Sequence, residues 1–354
     1  MKKYILLAAF AALTLASCEN VETPAPVPSL KGFLILNNGN MGSNDASIAL
    51  YNPETGDVAG DLFYNVNGRQ LGDVGQDIVR NGNELYISVN CSQIVFVTDL
   101  ELNVIGEVKA EEGETRLSPR SLAVSDGKVY VTYSEGWLGE ISRNNGYSVR
   151  LTAVGSYPEG LCIRDGRAYV ANSGYGYDYD NTVSVVDLDS FREIGKLEVN
   201  SNPQSLVADA AGKYLYVCSW DTYDPVTWDV TTASKLQRVS LSDGNVVDLD
   251  YTSLSKIVEG PDNQMYIACG QYSADWKITG SVHVYDMTSG KDKGLLFDEP
   301  VENYYSLSYN GGYVFVGAGE YTAEGDMYIY DTAGRLIAST PSCGINPMAG
   351  LYLE

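Results

Sequence analysis

Residues 157–200 read YPEGLCIRDGRAYVANSGYGYDYDNTVSVVDLDSFREIGKLEVN, and residues 201–220 follow with SNPQSLVADAAGKYLYVCSW. The first stretch contains four short runs rich in Val, Ile, Leu and Tyr, the composition of β-strands. Asp165-Gly166 separates the first two runs and supplies the positive φ that a tight hairpin turn requires. Asp187 and Ser190 mark the turn between the third and fourth. The second stretch then begins the same pattern again: a proline, a Leu-containing strand, a turn, and a Tyr-Val strand.

That unit recurs along the chain. FLILNNG, LYISVNC, VYVTYSE, AYVANSG, LYVCSWD, MYIACGQ and VFVGAGE are seven versions of the second strand. With Leu34, Tyr86, Tyr130, Tyr169, Tyr216, Tyr266 and Phe315 taken as equivalent, the spacings run from 39 to 52 residues. A repeat of that length suits a unit of four antiparallel strands, A to D, in chain order. Only six A strands lie between Gly75 and Tyr309, and the first unit begins at GFLILNNG without one. INPMAGLYLE at the C-terminus has the A-strand pattern. The expectation is an all-β, seven-bladed β-propeller whose C-terminal strand completes blade 1, a closure that removes an open sheet edge. The Pro-x-[Ser/Gly]-Leu start, Asp-Gly turn, Tyr-Val-Ala-Asn strand and Val-x-Val-x-Asp strand resemble the YVTN/YncE-type propellers. Blades 4 and 5 match well, blades 2, 3, 6 and 7 fairly and blade 1 poorly. The resemblance implies a fold and not an activity.

Propeller geometry sorts the loops into two faces. The A→B connections are short (SDGK, RDGR, NGG), whereas the B→C connections are long and irregular, which is where function is usually carried. The long loops hold Asn38, Trp137, Tyr175, Tyr177, Tyr179, Trp220, Tyr223, Trp228, Tyr272, Trp276 and Tyr321, including all four tryptophans. The D→A loops on the same face add Tyr64, Tyr157, Tyr304 and Tyr305. With 27 Tyr against 7 Phe, the hydroxyl is favoured beyond what a core needs, and Tyr and Trp give rigid contact area with a polar tip. Taken singly, each of these rings is better explained by loop packing; as a set they point to a binding face. The residue that starts each A strand should ring the mouth of the central channel: Gln76, Arg120, Glu159, Gln204, Ser255, Tyr305 and Met348. That ring is polar but not a concentration of charge.

Several chemistries are disfavoured. His283, the single histidine, lies inside a strand pattern, which argues against histidine acid–base catalysis and His-ligated zinc. Glu159 alone is a thin version of a metal-dependent lactonase mouth. YDYDN and WDTYD have the oxygen-rich character that suits Ca²⁺, although solvated acidic loop tips are the preferred reading. A formal net charge of −23 opposes nucleic-acid binding. Cys91, Cys162, Cys218, Cys269 and Cys343 have no disulfide or metal spacing and read as small buried hydrophobes.

The N-terminus adds an address. Residues 1–17 carry two lysines, an apolar run from Ile5 to Leu15 and small residues, the pattern of a secretory signal. Leu15-Ala16-Ser17-Cys18 resembles the bacterial lipobox, which implies lipidation of Cys18 and anchoring to a membrane. Residues 18–30 read as an acidic, proline-rich tether, and residues 31–354 as the propeller. Lipobox, tether, YVTN-type repeat and Tyr/Trp-rich face together resemble the BtuG-type cobalamin-capturing surface lipoproteins. The resemblance implies cobalamin or a related corrinoid as bound ligand, no catalytic cofactor, an outer-membrane location facing the exterior, and a TonB-dependent transporter as partner. A surface glycan-binding lipoprotein and a lactonase- or lyase-like propeller are the alternatives. Protease treatment of intact cells is expected to remove the protein; survival under shaving would contradict the exterior location.

Overall fold

The computed structural model describes residues 30–354 except 145, 177 and 274–276. The signal, nearly all of the tether, Cys18, Tyr177 and Trp276 lie outside the described residues. Seven antiparallel sheets form a β-propeller of four-stranded blades, blade 6 gaining a short fifth strand, Val301–Glu302. Blades 2 to 7 are built in chain order, with innermost A strands at Gly75–Asn81, Pro119–Ser125, Pro158–Arg164, Pro203–Ala208, Leu254–Glu259 and Tyr304–Asn310. In blade 1 the B strand, Gly32–Asn37, takes the C-terminal strand Pro347–Leu353 as its inner neighbour, from Gly32 opposite Leu353 to Asn37 opposite Pro347. Ring closure by the C-terminal strand is therefore as expected. Leu30, assigned to the tether, packs against the core between blades 1 and 2.

The register confirms the repeat residue by residue. Tyr86, Tyr130, Tyr169, Tyr216, Tyr266 and Phe315 lie opposite Val79, Ala123, Cys162, Val207, Val258 and Ser308, and Leu34 lies opposite Leu351. Each partner is the third residue after its mouth position. The hairpin turns have the geometry their residues demand: Asp126 and Gly127, Asp165 and Gly166, and Gly311 and Gly312 all have positive φ.

The core is divided among seven clusters, one at each interface between neighbouring blades. Blades diverge with radius, so large rings fill the wedge between them. Tyr86 meets Tyr147, Tyr130 meets Phe191, Tyr216 meets Tyr285, and Tyr266 meets Tyr309, with centroids 5.6–6.5 Å apart. Tyr86, Tyr130, Tyr133, Tyr169, Tyr216, Tyr266, Tyr285, Tyr304 and Tyr330 are all buried. This corrects the sequence-based argument from the tyrosine surplus: much of it serves the core. At some positions the hydroxyl reaches a polar group, as where Tyr86 donates to Glu84 Oε2 at 2.9 Å.

Cysteine burial also departs from expectation. All five described cysteines are free, but only Cys162 and Cys218 are buried, and Cys91 is exposed at the end of a B strand. His283 lies within the third strand of blade 6 as expected, its Nδ1 2.9 Å from Asp292 Oδ2. The one α-helix among the described residues, Leu62–Asn67, buries Phe63 between blades 1 and 2. No helix among the described residues is long and apolar enough to cross a membrane.

Blade contact is close enough at one seam to demand glycine. A Cβ on Gly350, in the C-terminal strand, would lie 2.0 Å from Cδ1 of the buried Phe315 ring in blade 7. Gly350→Ala is therefore expected to destabilise the ring by about 2 kcal/mol through overpacking. Phe315→Leu in the same background should recover part of that loss; thermal melts of the two single variants and the double variant check it.

Candidate binding face

The mouth is built by one repeated irregularity. In each of the seven A–B ladders the register slips at the start of the A strand. Gln76, Gln204, Ser255, Tyr305 and Met348 are single extra residues, and Arg120 with Ser121 and Glu159 with Gly160 occupy the corresponding slips. A bulge releases a residue from ladder pairing and re-aims its side chain. These are the seven positions predicted to ring the channel.

The ring's polar groups partly satisfy one another. Arg120 Nε and Nη2 both reach Glu159 Oε2, at 2.7 and 2.5 Å. Burial pushes the Glu159 carboxyl up, and the adjacent guanidinium pulls against that. The Arg120 guanidinium also lies over the Tyr157 ring, 5.5 Å from its centroid, and Tyr157 meets Tyr175 at 6.2 Å. Charge pair and rings thus form one column from the channel to the loop surface. Gln204 Nε2 donates to Asn202 Oδ1 at 2.5 Å. Tyr305 donates to Asn38 Oδ1 at 3.2 Å and meets Tyr321 edge-on at 5.7 Å. Asn38 is otherwise structural, since its Nδ2 donates to Gly75 O at 2.8 Å and ties blade 1 to blade 2. Met348 is half-buried.

Above the mouth, Tyr175, Trp220, Tyr223, Trp228, Tyr272 and Tyr321 are between 41% and 74% exposed. They come from blades 4, 5, 6 and 7 and are not scattered. Burial raises the Tyr223 hydroxyl, and Asp221, Tyr272 and Tyr179 add to it. Tyr321 is raised by burial and then by Tyr272 and Tyr175. The tyrosine-rich loop of blade 4 and the long loop of blade 5 thus stand within electrostatic range of each other. Their folds differ. Gly174 has φ 62°, and a Cβ there would strike Asp178 O at 2.4 Å, so the blade 4 loop turns back on itself. The blade 5 loop is a hairpin of Thr222–Tyr223 and Val230–Thr232 with Trp228 at its tip. Trp220 Nε1 donates to Ser255 O at 2.5 Å and fixes the base of that hairpin to the mouth of blade 6.

Some predicted contacts are placed elsewhere. Tyr304 is buried in the core between blades 6 and 7, because the bulge that turns Tyr305 to the channel turns its neighbour inward. Trp137 begins the third strand of blade 3 and packs on the core between blades 2 and 3. Tyr64 stands exposed on the helix between blades 1 and 2. Among the described residues no group of three or more His, Cys, Asp or Glu is arranged to hold a metal ion.

Two channel residues escaped the sequence reading: Asp77 and Lys256, one position beyond the mouth. Asp77 Oδ1 accepts from Ile78 N and Oδ2 from Leu122 N, both at 2.8 Å. Burial raises its pKa against those bonds, and burial lowers that of Lys256. The signal available was their place immediately after the bulge residue.

The fold and mouth define a seven-bladed β-propeller with one elaborated, aromatic face. No family model matches the chain, and no curated protein sequence matches it. Solved structures share the fold at low identity. A candidate 6-phosphogluconolactonase of Bacteroides uniformis is 14% identical, with 91% of this chain and 98% of that chain covered at a TM-score of 0.61. A candidate 6-phosphogluconolactonase of Bacteroides fragilis is 13% identical over 94% and 100% of the two chains, TM-score 0.61. Hydrazine synthase of Kuenenia stuttgartiensis is 19% identical over 74% and 84%, TM-score 0.58. At such identities the likeness is one of fold.

Removing Arg120 would strand a buried carboxylate. Arg120→Leu is expected to cost ~3 kcal/mol at neutral pH. Protonation relieves the stranded Glu159, whose raised pKa makes its penalty appear as pH rises and vanish below the ordinary value of 4.5. Urea unfolding of the variant and the native protein should therefore converge toward pH 4.5 and diverge at pH 7.

Proposed function

We propose that the protein is a binding propeller that captures a large, ring-shaped, amide-rich small molecule on its aromatic face, with cobalamin or a related corrinoid as the ligand. The observation that carries this reading is the set of rings on the long-looped face: Tyr157 meets Tyr175 at 6.2 Å, Tyr305 meets Tyr321 at 5.7 Å, and Tyr175, Trp220, Tyr223, Tyr272 and Tyr321 are exposed. Tyr and Trp rings offer apolar contact to a macrocycle edge, and their hydroxyl and N–H groups, with amides such as Gln76, suit peripheral carboxamides. The corrinoid itself comes from the resemblance to BtuG-type lipoproteins. The same resemblance supports anchoring through Cys18 at the outer membrane and delivery to a TonB-dependent transporter.

A lactonase-like activity is the second reading, favoured by the two Bacteroides neighbours described as candidate 6-phosphogluconolactonases. Against it, Glu159 is held in an ion pair by Arg120 and the mouth has no histidine to act as base.

Calorimetry with cyanocobalamin separates the two. The native protein is expected to bind one equivalent at micromolar concentration or tighter, and Tyr175→Ala, Trp220→Ala and Tyr321→Ala each to weaken binding about tenfold, or ~1.4 kcal/mol. Absence of heat and of any thermal shift with the native protein would sink the corrinoid reading. Hydrolysis of a lactone panel that disappears in Glu159→Gln would install the second.

A further inference from the structure

We propose that the central channel holds a second binding site at its short-turned end, which takes an uncharged polyhydroxy molecule the size of a monosaccharide. The site lies away from the aromatic face and does not rest on the corrinoid reading.

A cavity of about 300 Å³ lies between the A strands of blades 7, 1, 2 and 3. Its lining runs from Asp77, just inside the mouth, to Arg80, Val124 and Asn310 beside the hairpin turns. Arg80 is exposed and Val124 is 38% exposed, so the cavity opens on the face of short turns. A volume at the lower limit of small-molecule pockets suits one sugar ring and is too small for a corrinoid.

The polar side chains of the lining are held in place by their acceptor atoms. Asp77 Oδ2 accepts from Leu122 N at 2.8 Å, Ser308 Oγ from Gly350 N at 3.0 Å, and Asn310 Oδ1 from Tyr352 N at 3.0 Å. Each bond joins one A strand to the next and fixes a side chain on the cavity wall, so little ordering remains for a ligand to impose. The donors are left over. Among the described residues the Ser308 hydroxyl, the Asn310 Nδ2 and both Nη groups of Arg80 donate to no protein acceptor; Arg80 uses only its Nε, on Gly82 O at 2.8 Å. Asp77 supplies the complementary function. Each of its oxygens takes one backbone N–H, from Ile78 and from Leu122, and has capacity for another bond.

That inventory selects the ligand. The Asp77 carboxylate opposes an anion, and the Arg80 guanidinium opposes a cation. An apolar molecule would cover the free donors without pairing them, at a cost for each. Hydroxyl groups both donate and accept. Several of them on one small ring can accept from Ser308, Asn310 and the fork of Arg80, and donate to Asp77 at the other end.

The test titrates the mature protein with D-glucose, D-galactose and myo-inositol, read by saturation-transfer NMR, with thermal melts reporting that each variant is folded. At least one of the three should bind in the millimolar range. Asn310→Asp keeps the acceptor for Tyr352 N and removes the two Nδ2 donors, and it should weaken that molecule about tenfold, as should Arg80→Gln at its exposed position. Val124→Trp should abolish binding by filling the cavity. Lys291→Gln, on the exposed outer strand of blade 6, should leave binding unchanged. Binding of none of the three probes overturns the site. Binding that persists undiminished in Asn310→Asp and Arg80→Gln places the molecule elsewhere and also overturns it, and these two variants decide the matter should Val124→Trp not fold.

Discussion

The pairing of Gly32–Asn37 with Pro347–Leu353 carries the rest of the molecule. It joins the first described strand to the last. Without it, blade 1 would lose its inner strand, blade 7 would face solvent, and the outermost members of a linear array would present open sheet edges. With it, every A strand has an A strand on either side. Main-chain and side-chain bonds cross each seam, as where Gly350 N donates to Ser308 Oγ at 3.0 Å and Tyr352 N to Asn310 Oδ1 at 3.0 Å. Closure also divides the hydrophobic core into seven wedges, one between each pair of neighbouring blades. Phe33, Ile35, Phe315 and Ile329 at the last seam are as fully buried as residues within the chain's middle blades.

Ring closure has a consequence at the centre. Seven A strands crowded around one axis cannot all continue their ladders to the rim. Each slips by a bulge at its start, and the residue released there turns to the channel. The scaffold thereby produces a ring of seven addressable positions whose chemistry is free to vary. Here it became an Arg–Glu pair, two glutamines, a serine, a tyrosine and a methionine. One level further in, Asp77 and Ser205 hold neighbouring strands together.

The aromatic face shows how scaffold and loops divide the work. Trp220, anchored on Ser255 O, and Tyr321, whose N–H donates to Asn346 Oδ1 at 3.2 Å, are held at their bases by the mouth itself. The rings above are thus positioned by contacts between blades.

Much of this was written in the sequence. Seven B strands, their equivalent residues, the I′-type turns and the closing C-terminal strand follow from period-2 patterning and turn chemistry, both local properties. The mouth positions were legible because a proline or its counterpart marks the strand start. What the sequence could not separate were rings of the same type in different environments. Tyr304 and Tyr305 are adjacent, yet one fills a wedge and the other lines the channel, because a bulge reverses facing between neighbours. The tyrosine surplus likewise looked like a surface property until the wedges between diverging blades were seen to need large rings. Lys256 and Asp77 were ordinary strand charges by pattern. Only the ring, by gathering the A strands of blades 2, 4 and 6 about one axis, brought them within electrostatic range of one another.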